Sequence, residues 1–406
     1  MANDAANLAS TGHCVKIGVV IERMEAWRGG AETSTLELCR LLVERGHDVH
    51  ILTTTNSQSL PDVTIHTIKA PTLISSRKIA VFAKRAAAFA RKQKFDVIHS
   101  VALMPEADVY QPRGGLLAET MARNVYTRPT ASRRLLKRAL MALNVKQRTM
   151  IDIERRTLRP DGPIIACVSN YVARQCAEYY NAEPPRVRVI FNGVNPRVPD
   201  DEERFRLRGE LRSELGVDDQ TLLLLFLAHN FRLKGLTPLI ETISRLVVGG
   251  FKQVRLMVAG RDNVVPFQKR IEALGIQSYI TFLGPTQRAT AFFAACDACV
   301  HPTYYDPCSR VVLEALYLGV PAITTAYNGA SEVIQDGREG FVIQTPDDIG
   351  MWARRITDLA SPDLRRRMSE NALLLRERIS MRRHVAELDD LFQEIVERKR
   401  SAKVLA

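Results

Sequence analysis

The sequence predicts an α/β fold of two doubly wound, parallel-sheet domains. Three observations predict it. Short apolar runs bounded by turn residues alternate with amphipathic helical segments, as repeating βα units require. The clearest strand, Thr221-Leu-Leu-Leu-Leu-Phe-Leu-Ala228, is continuously apolar, the pattern of a sheet covered on both faces. The series runs twice, with turn formers concentrated in Asn192-Gly-Val-Asn-Pro-Arg-Val-Pro199 between the two, and 406 residues suit two domains of ordinary size.

The first series opens with a buried strand over Val15–Ile21. A loop over Glu22–Gly30 and an amphipathic helix over Glu32–Glu44 follow, and Gly46 stops the helix. Further strands are expected over His47–Thr53, Val63–Ile68, Phe95–Ser100 and Ile164–Val168. A helix is expected over Arg77–Lys92, and one or two long basic helices over Arg133–Arg159. The second series places strands over Thr221–Ala228, Val254–Ala259, Tyr279–Phe282, Ala298–His301 and Pro321–Thr325. Its helices fall over Thr237–Val247, Phe267–Leu274, Ala289–Ala295, Pro346–Leu359 and Pro362–Ser380. A last helix over Arg382–Arg398 is expected to pack back across the domain junction. The division is thus a short disordered tail over 1–14, a first domain over 15–195, a second over 196–380, and the returning helix in 381–406.

Composition bounds the function. Hydrophobic residues make up 46% of the chain, enough for a sizeable core, and no run of 18 uninterrupted apolar residues occurs. The first residues, Met1-Ala-Asn-Asp-Ala-Ala-Asn, lack the basic and apolar regions of a secretory signal. The seven cysteines are irregularly spaced. Cys296-x-x-Cys299 has no second pair downstream, so buried thiols are expected rather than a zinc site, in a reducing cytoplasm. The net charge of +12 is unevenly placed: Lys69–Arg159 carries 20 Lys or Arg against 6 Asp or Glu. A field confined to one part of one domain suggests an anionic partner, either an acceptor or a membrane surface, beside the plainer reading of solvated helix faces. No nucleic-acid motif is visible, and aromatics are only 6% of the chain.

The segment His301–Pro321 is the most informative. Asp306 lies in a loop before a proline, and Glu314 lies eight positions on, in the second turn of a helix that Ser309 can cap. A strand–loop–helix–strand unit points a helix N-terminus, with its free N–H groups, at the crevice above a parallel sheet, which suits an anion. Acids on each side can hold hydroxyls, so together they suggest a pocket for a sugar-phosphate. Three other segments agree. Gly29-Gly30 precedes the first helix, where backbone can approach a ligand closely. Ala228-His-Asn-Phe-Arg-Leu-Lys-Gly235 follows the first strand of the second series and offers Arg232 and Lys234 as fixed cations. Val258-Ala-Gly-Arg-Asp262 ends the next strand with Gly260 and Arg261.

These segments resemble the retaining glycosyltransferases of family 4, which have the GT-B fold of two Rossmann-like domains facing each other across a cleft. The acid–x7–acid spacing carries the resemblance, with Asp306 where the family usually has Glu. By that resemblance Glu314 binds the ribose of a nucleotide-sugar, Asp306 a hydroxyl of the transferred sugar, and Lys234 the diphosphate. The family arginine sits five residues before the lysine, where this chain has His229, and Arg232 is the candidate to take its role. Gly29, Gly30, Gly260, Arg261, Ser309, Arg310 and Val311 are the further donor-binding candidates. The first domain resembles the lipopolysaccharide core glucosyltransferase I branch through Met104-Pro-Glu-Ala-Asp-Val-Tyr110. An acid found beyond that segment in the branch corresponds to Gly114 here, which leaves His99, Asp108, Arg113 and Glu119 as acceptor-side candidates.

The resemblance implies a cytoplasmic hexosyltransferase without a cofactor or metal, since no Asp-x-Asp cluster is present. Its donor would be a nucleotide-sugar, most simply a UDP-sugar. Its acceptor would be an anionic glycolipid, with Lys69–Arg159 against the inner membrane face. Two alternatives stay open: a GT-B enzyme acting on a soluble sugar or sugar phosphate, or a nucleotide-sugar epimerase; and a non-catalytic basic membrane- or glycan-binding protein.

Overall fold

The computed structural model of the chain describes residues 13–25, 30–56, 59–71 and 78–405. The expected tail lies almost wholly outside them, as do Gly29 and the helix start at Arg77. Two compact units emerge. The first runs through Met121 and includes Ser132–Asn192 and the chain from Met381 onward; the second comprises Ala122–Ala131 and Gly193–Ser380.

The first unit is built on seven strands: β1 (Lys16–Val20), β2 (Asp48–Thr53), β3 (Val63–Thr67), β4 (Val97–Ser100), β5 (Val109–Tyr110), β6 (Ile164–Cys167) and β7 (Val187–Val189). All pair parallel, in the order β3-β2-β1-β4-β5-β6-β7. Its helices are α1 (Gly30–Glu44), α2 (Lys78–Gln93), the first half of α3 (Leu117–Tyr126, counted with the second unit from Ala122), α4 (Ala131–Leu143), α5 (Val145–Thr157) and α6 (Asn170–Tyr180). The second unit holds six strands: β8 (Leu222–Leu227), β9 (Val254–Ala259), β10 (Ile280–Gly284), β11 (Ala298–His301), β12 (Ala322–Thr325) and β13 (Gly340–Ile343). They too pair parallel, in the order β10-β9-β8-β11-β12-β13. Around them lie α7 (Asp201–Glu214), α8 (Leu236–Val248), α9 (Val265–Leu274), α10 (Ala289–Ala295), α11 (Arg310–Tyr317), α12 (Ile349–Asp358) and α13 (Pro362–Leu373).

Each sheet reverses its strand order once, between β1 and β4 and between β8 and β11. At such a point the connections leave toward opposite sides, and the carboxyl ends of the two strands open a crevice. In β8, Leu222 to Phe226 are all 3% exposed or less, as the apolar run requires. Each such side chain contributes about 1.5–3 kcal/mol of burial. Leu222, Leu224 and Phe226 share a core with Ile240 and Ile243 of α8 and Trp352 and Ile356 of α12.

The last helix, α14 (Met381–Leu405), is longer than the expected Arg382–Arg398 and belongs to the first unit. Val385, Leu388, Phe392 and Ile395 lie in one core with Leu38 and Leu42 of α1. Asp389 anchors it: Arg45 Nε lies at 2.7 Å and His47 Nε2 at 2.9 Å from its carboxylate. The strands β5, β7 and β13 and the helices α3, α6 and α7 add to the expected elements. β5 has two residues and β7 three, too few for a periodic signal.

Candidate functional site

The candidate residues of the second unit gather at the β8/β11 switch point. The turn after β8 is shaped by Asn230, in a left-handed conformation at φ 56°, and by Asp262, whose carboxylate accepts the Phe231 N–H at 2.6 Å. Gly235 closes the turn at φ +84°, and a Cβ there would lie 1.8 Å from the Pro302 carbonyl oxygen. Only glycine fits where this turn crosses the end of β11. Thr303 Oγ1 and the Tyr304 N–H both donate to the Leu233 carbonyl, at 3.3 and 2.9 Å. The loops after β8 and β11 are thereby joined.

Lys234 reaches across that junction. Its Nζ donates to Asp306 Oδ2 at 2.7 Å and to the Tyr305 carbonyl at 3.0 Å. Asp306 is pinned through its backbone, its N–H donating to Tyr327 O and its carbonyl accepting from Gly329 N. His301 carries no role in the sequence reading, yet its Nε2 stands 3.3 Å from the same Oδ2. Burial raises the Asp306 pKa. The Lys234 ammonium and the contact with His301 outweigh that and hold the carboxyl well below its usual range. Burial lowers the His301 pKa, against the pull of Asp306, so the ring is neutral near pH 7.

One helix turn on, α11 begins as its cap predicts. Ser309 Oγ accepts the Val312 N–H at 3.4 Å, and the Ser309 N–H donates to Asn328 Oδ1 at 3.0 Å. Asn328 is fully buried, also accepts from Ala330 N and donates to Thr324 Oγ1. It is a second organiser that sequence reading passed over, and its only signal was an Asn-Gly pair after a strand. Arg310 and Val311 form the first turn, whose N–H groups lack helical partners. Glu314 follows in the second turn, with Arg310 Nη2 at 3.1 Å from its Oε1. The site therefore combines two ion pairs, Lys234–Asp306 and Arg310–Glu314. Arg232 is half-buried beside Lys234, with no side-chain hydrogen bond or ion pair among the described residues. Arg261 and His229 are exposed at the ends of β9 and β8.

Other candidates need correction. Gly260, at φ +126°, would place a Cβ 1.7 Å from Ala228 O. Its close approach is to the neighbouring strand end. Gly30 is exposed as the first residue of α1, while Gly29 lies outside the described residues. In the first unit His99 is fully buried edge-on against Phe392 of α14, and burial, with the nearby Arg113, lowers its pKa to about 3. It packs the interior beneath α14. Asp108 precedes β5, at the amino end of the sheet, where it accepts the Ile98 N–H at 2.8 Å and pairs with Lys399 at 2.6 Å. It serves strand pairing and α14. Glu119 is buried beneath the Tyr171 and Tyr179 hydroxyls. Arg113 alone stays at a carboxyl end, its Nε donating to Gln111 Oε1 at 2.7 Å.

Six of the seven cysteines are buried and Cys14 is exposed. Burial, then the charge of Glu314, pushes the Cys299 thiol up to about 12. Among the described residues no group of three or more His, Cys, Asp or Glu is placed to hold a metal ion.

Comparison with known proteins places this geometry. The model for glycosyl transferases group 1 matches residues 208–374, and that for glycosyltransferase family 4 matches residues 28–198. Lipopolysaccharide glucosyltransferase WaaG of Escherichia coli is 29% identical over 218 residues, 53% of this chain and 55% of that protein. The chain spans about half the length of the first curated relatives it matches. The crystal structure of WaaG superimposes with a TM-score of 0.78 at 21% identity, over 93% of this chain and 99% of the other. Anabaena Alr3699/HepE, solved with UDP and glucose, gives 0.68 at 16% identity, over 93% and 99%. With its two parallel sheets and both family segments, the chain belongs to the family 4, group 1 glycosyltransferases of the GT-B fold.

Proposed function

We propose that the protein is a retaining, metal-independent hexosyltransferase. It moves a hexose from a nucleotide-sugar, a UDP-sugar in the simplest case, to an anionic glycolipid of the lipopolysaccharide-core type at the cytoplasmic face of a membrane. The observation that carries this reading is the assembly of Lys234, Asp306, Arg310 and Glu314 at one switch point. Cations and helix N–H groups there suit a diphosphate. Carboxylates on either side suit hydroxyls, Glu314 for the ribose and Asp306 for the hexose. The donor lies against the second unit and the acceptor against the first.

The chemistry follows from charge. As the bond from the sugar C1 to the phosphate oxygen breaks, the leaving diphosphate gains negative charge. Lys234, Arg232 and the first turn of α11 are fixed where that charge grows, so they stabilise the transition state more than the ground state. The acceptor hydroxyl attacks C1 from the face the phosphate leaves, and the departing phosphate oxygen takes its proton. Configuration is retained without an enzymatic nucleophile. HepE, solved with UDP and glucose, supports the donor class, and WaaG, named a lipopolysaccharide glucosyltransferase, supports the acceptor class.

Membrane attachment rests on α4. Leu135, Leu136, Leu140 and Leu143 are 57–73% exposed there, among Arg133, Arg134, Lys137 and Arg138. An apolar strip within a basic helix fits an anionic lipid interface. No helix among the described residues is long and apolar enough to cross a membrane. NMR of the transferred hexose tests the reaction. An α-linked product from an α-linked donor is expected, and a β-linked product overturns retention.

A further inference from the structure

Asp306 Oδ2 accepts from two donors of different kind. Lys234 is the more accessible one, a long side chain 18% exposed on the turn closed by Gly235. His301 is the fixed one, 2% exposed, stacked on Phe226 at 6.1 Å between ring centroids. Its Nδ1 is buried and has no hydrogen-bond partner among the described residues. A charged ring would leave that second N–H unpaired in the interior, so the single proton sits on Nε2, facing Asp306. The backbone of Asp306 is held on both sides by Tyr327 and Gly329. Asp306 is also one methylene shorter than the glutamate usual in the family, so its reach depends more heavily on how its carboxylate is turned.

A diphosphate arriving at the site competes for the Lys234 ammonium. We propose that His301 is a positioning residue for the sugar-binding acid: its Nε2–H holds Asp306 Oδ2 when the donor phosphates draw Lys234 away, so that Oδ1 stays turned toward a hexose hydroxyl. Without it, Asp306 would lose its aim at the moment the donor binds. The inference rests on the donor-site reading given above. It separates two roles within one cluster, with Lys234 serving the phosphate and His301 serving the acid.

The test compares His301→Leu with His301→Gln in the full chain. Leucine removes the donor, whereas the glutamine amide reaches the same oxygen. The probes are UDP-, GDP- and ADP-glucose, taking the one that stabilises the wild type in a thermal-shift panel, and its free nucleoside diphosphate. For His301→Leu, the dissociation constant of the free nucleotide stays within about twofold of wild type, while nucleotide release from the donor falls about tenfold or more, as loss of a hydrogen bond to a charged group implies. For His301→Gln most of that turnover returns. Wild-type turnover in the leucine variant overturns the inference, as does equal impairment in two variants that both melt like the wild type. Should the leucine variant not fold, His301→Asn, too short to reach Oδ2, takes its place with the same expectations. A wild type that binds none of the nucleotides overturns the donor-site reading itself, a signature distinct from the other outcomes.

Discussion

Lys234 Nζ and Asp306 Oδ2 are 2.7 Å apart, so the cation assigned to the donor phosphates and the acid assigned to the donor sugar neutralise each other before any donor arrives. Arg310 and Glu314 repeat the arrangement one helix turn away. A diphosphate that takes the Lys234 ammonium must therefore compete with Asp306 for it. Replacing Asp306 by Asn removes the competitor. Inorganic pyrophosphate then binds about two- to fivefold more tightly, the scale of a partly exposed ion pair, while transfer of the hexose falls sharply. Calorimetric titration of the two proteins checks this. Weaker pyrophosphate binding in Asp306→Asn would mean that the aspartate assists the anion rather than competing with it.

Gly235 fixes where Lys234 stands. Alanine there requires a left-handed backbone and overlaps Pro302 O, at 1.8 Å from the Cβ position. Gly235→Ala is expected to destabilise the fold by about 2–4 kcal/mol and to abolish nucleotide binding. Gly216→Ala, also at positive φ but with nothing within 4 Å, is expected to cost only about 1 kcal/mol. Denaturant melts of both variants provide the comparison.

The fold was legible wherever a periodic signal was long enough. Continuous apolar strands such as Leu222–Leu227 and the helix cap at Ser309 read directly, because burial and capping leave composition marks. In the second unit the placement was legible through spacing: Lys234 meets Asp306 in an ion pair and Glu314 follows on α11, as sequence order and strand topology require. In the first unit it was not. His99 looked like a crevice residue because it ends a strand, and Asp108 became a candidate through the resemblance of Met104–Tyr110. Which end of β5 Asp108 occupies depends on a two-residue strand, and the burial of His99 depends on Phe392, nearly three hundred residues away. His301 and Asn328 lay inside recognised segments, but their roles are set by partners across loops, which no local pattern records.

The anchoring of α14 gives a pH prediction. Burial raises the Asp389 pKa, but His47 and Arg45 together lower it below 3.8 in the folded state. A carboxyl whose folded pKa is depressed contributes stability at pH values above its unfolded value, and that contribution is lost as pH falls through the folded pKa. Melting temperature should therefore fall as pH drops from about 5 toward 3. Asp389→Ala should be destabilised by about 1–3 kcal/mol at pH 7 and show a shallower acid limb. An unchanged acid limb would remove Asp389 from the explanation.

The exposed leucines of α4 separate apolar insertion from charge attraction. Vesicles containing anionic lipid should bind the protein, with affinity falling as salt rises from 0.05 to about 0.5 M. Leu136→Asp with Leu140→Asp should weaken binding about tenfold or more at any salt concentration, and donor hydrolysis should be unaffected. Flotation with lipid vesicles reports both. Binding that depends on salt but not on the leucines would place the protein at the headgroups without insertion.

The most direct test is a calorimetric titration of wild type and Lys234→Ala with UDP-, GDP- and ADP-glucose. One nucleotide-sugar should bind the wild type, and Lys234→Ala, folded by circular dichroism, should bind it at least about tenfold more weakly. Equal binding by both proteins, or no binding by the wild type, would contradict a diphosphate site at the β8/β11 switch point.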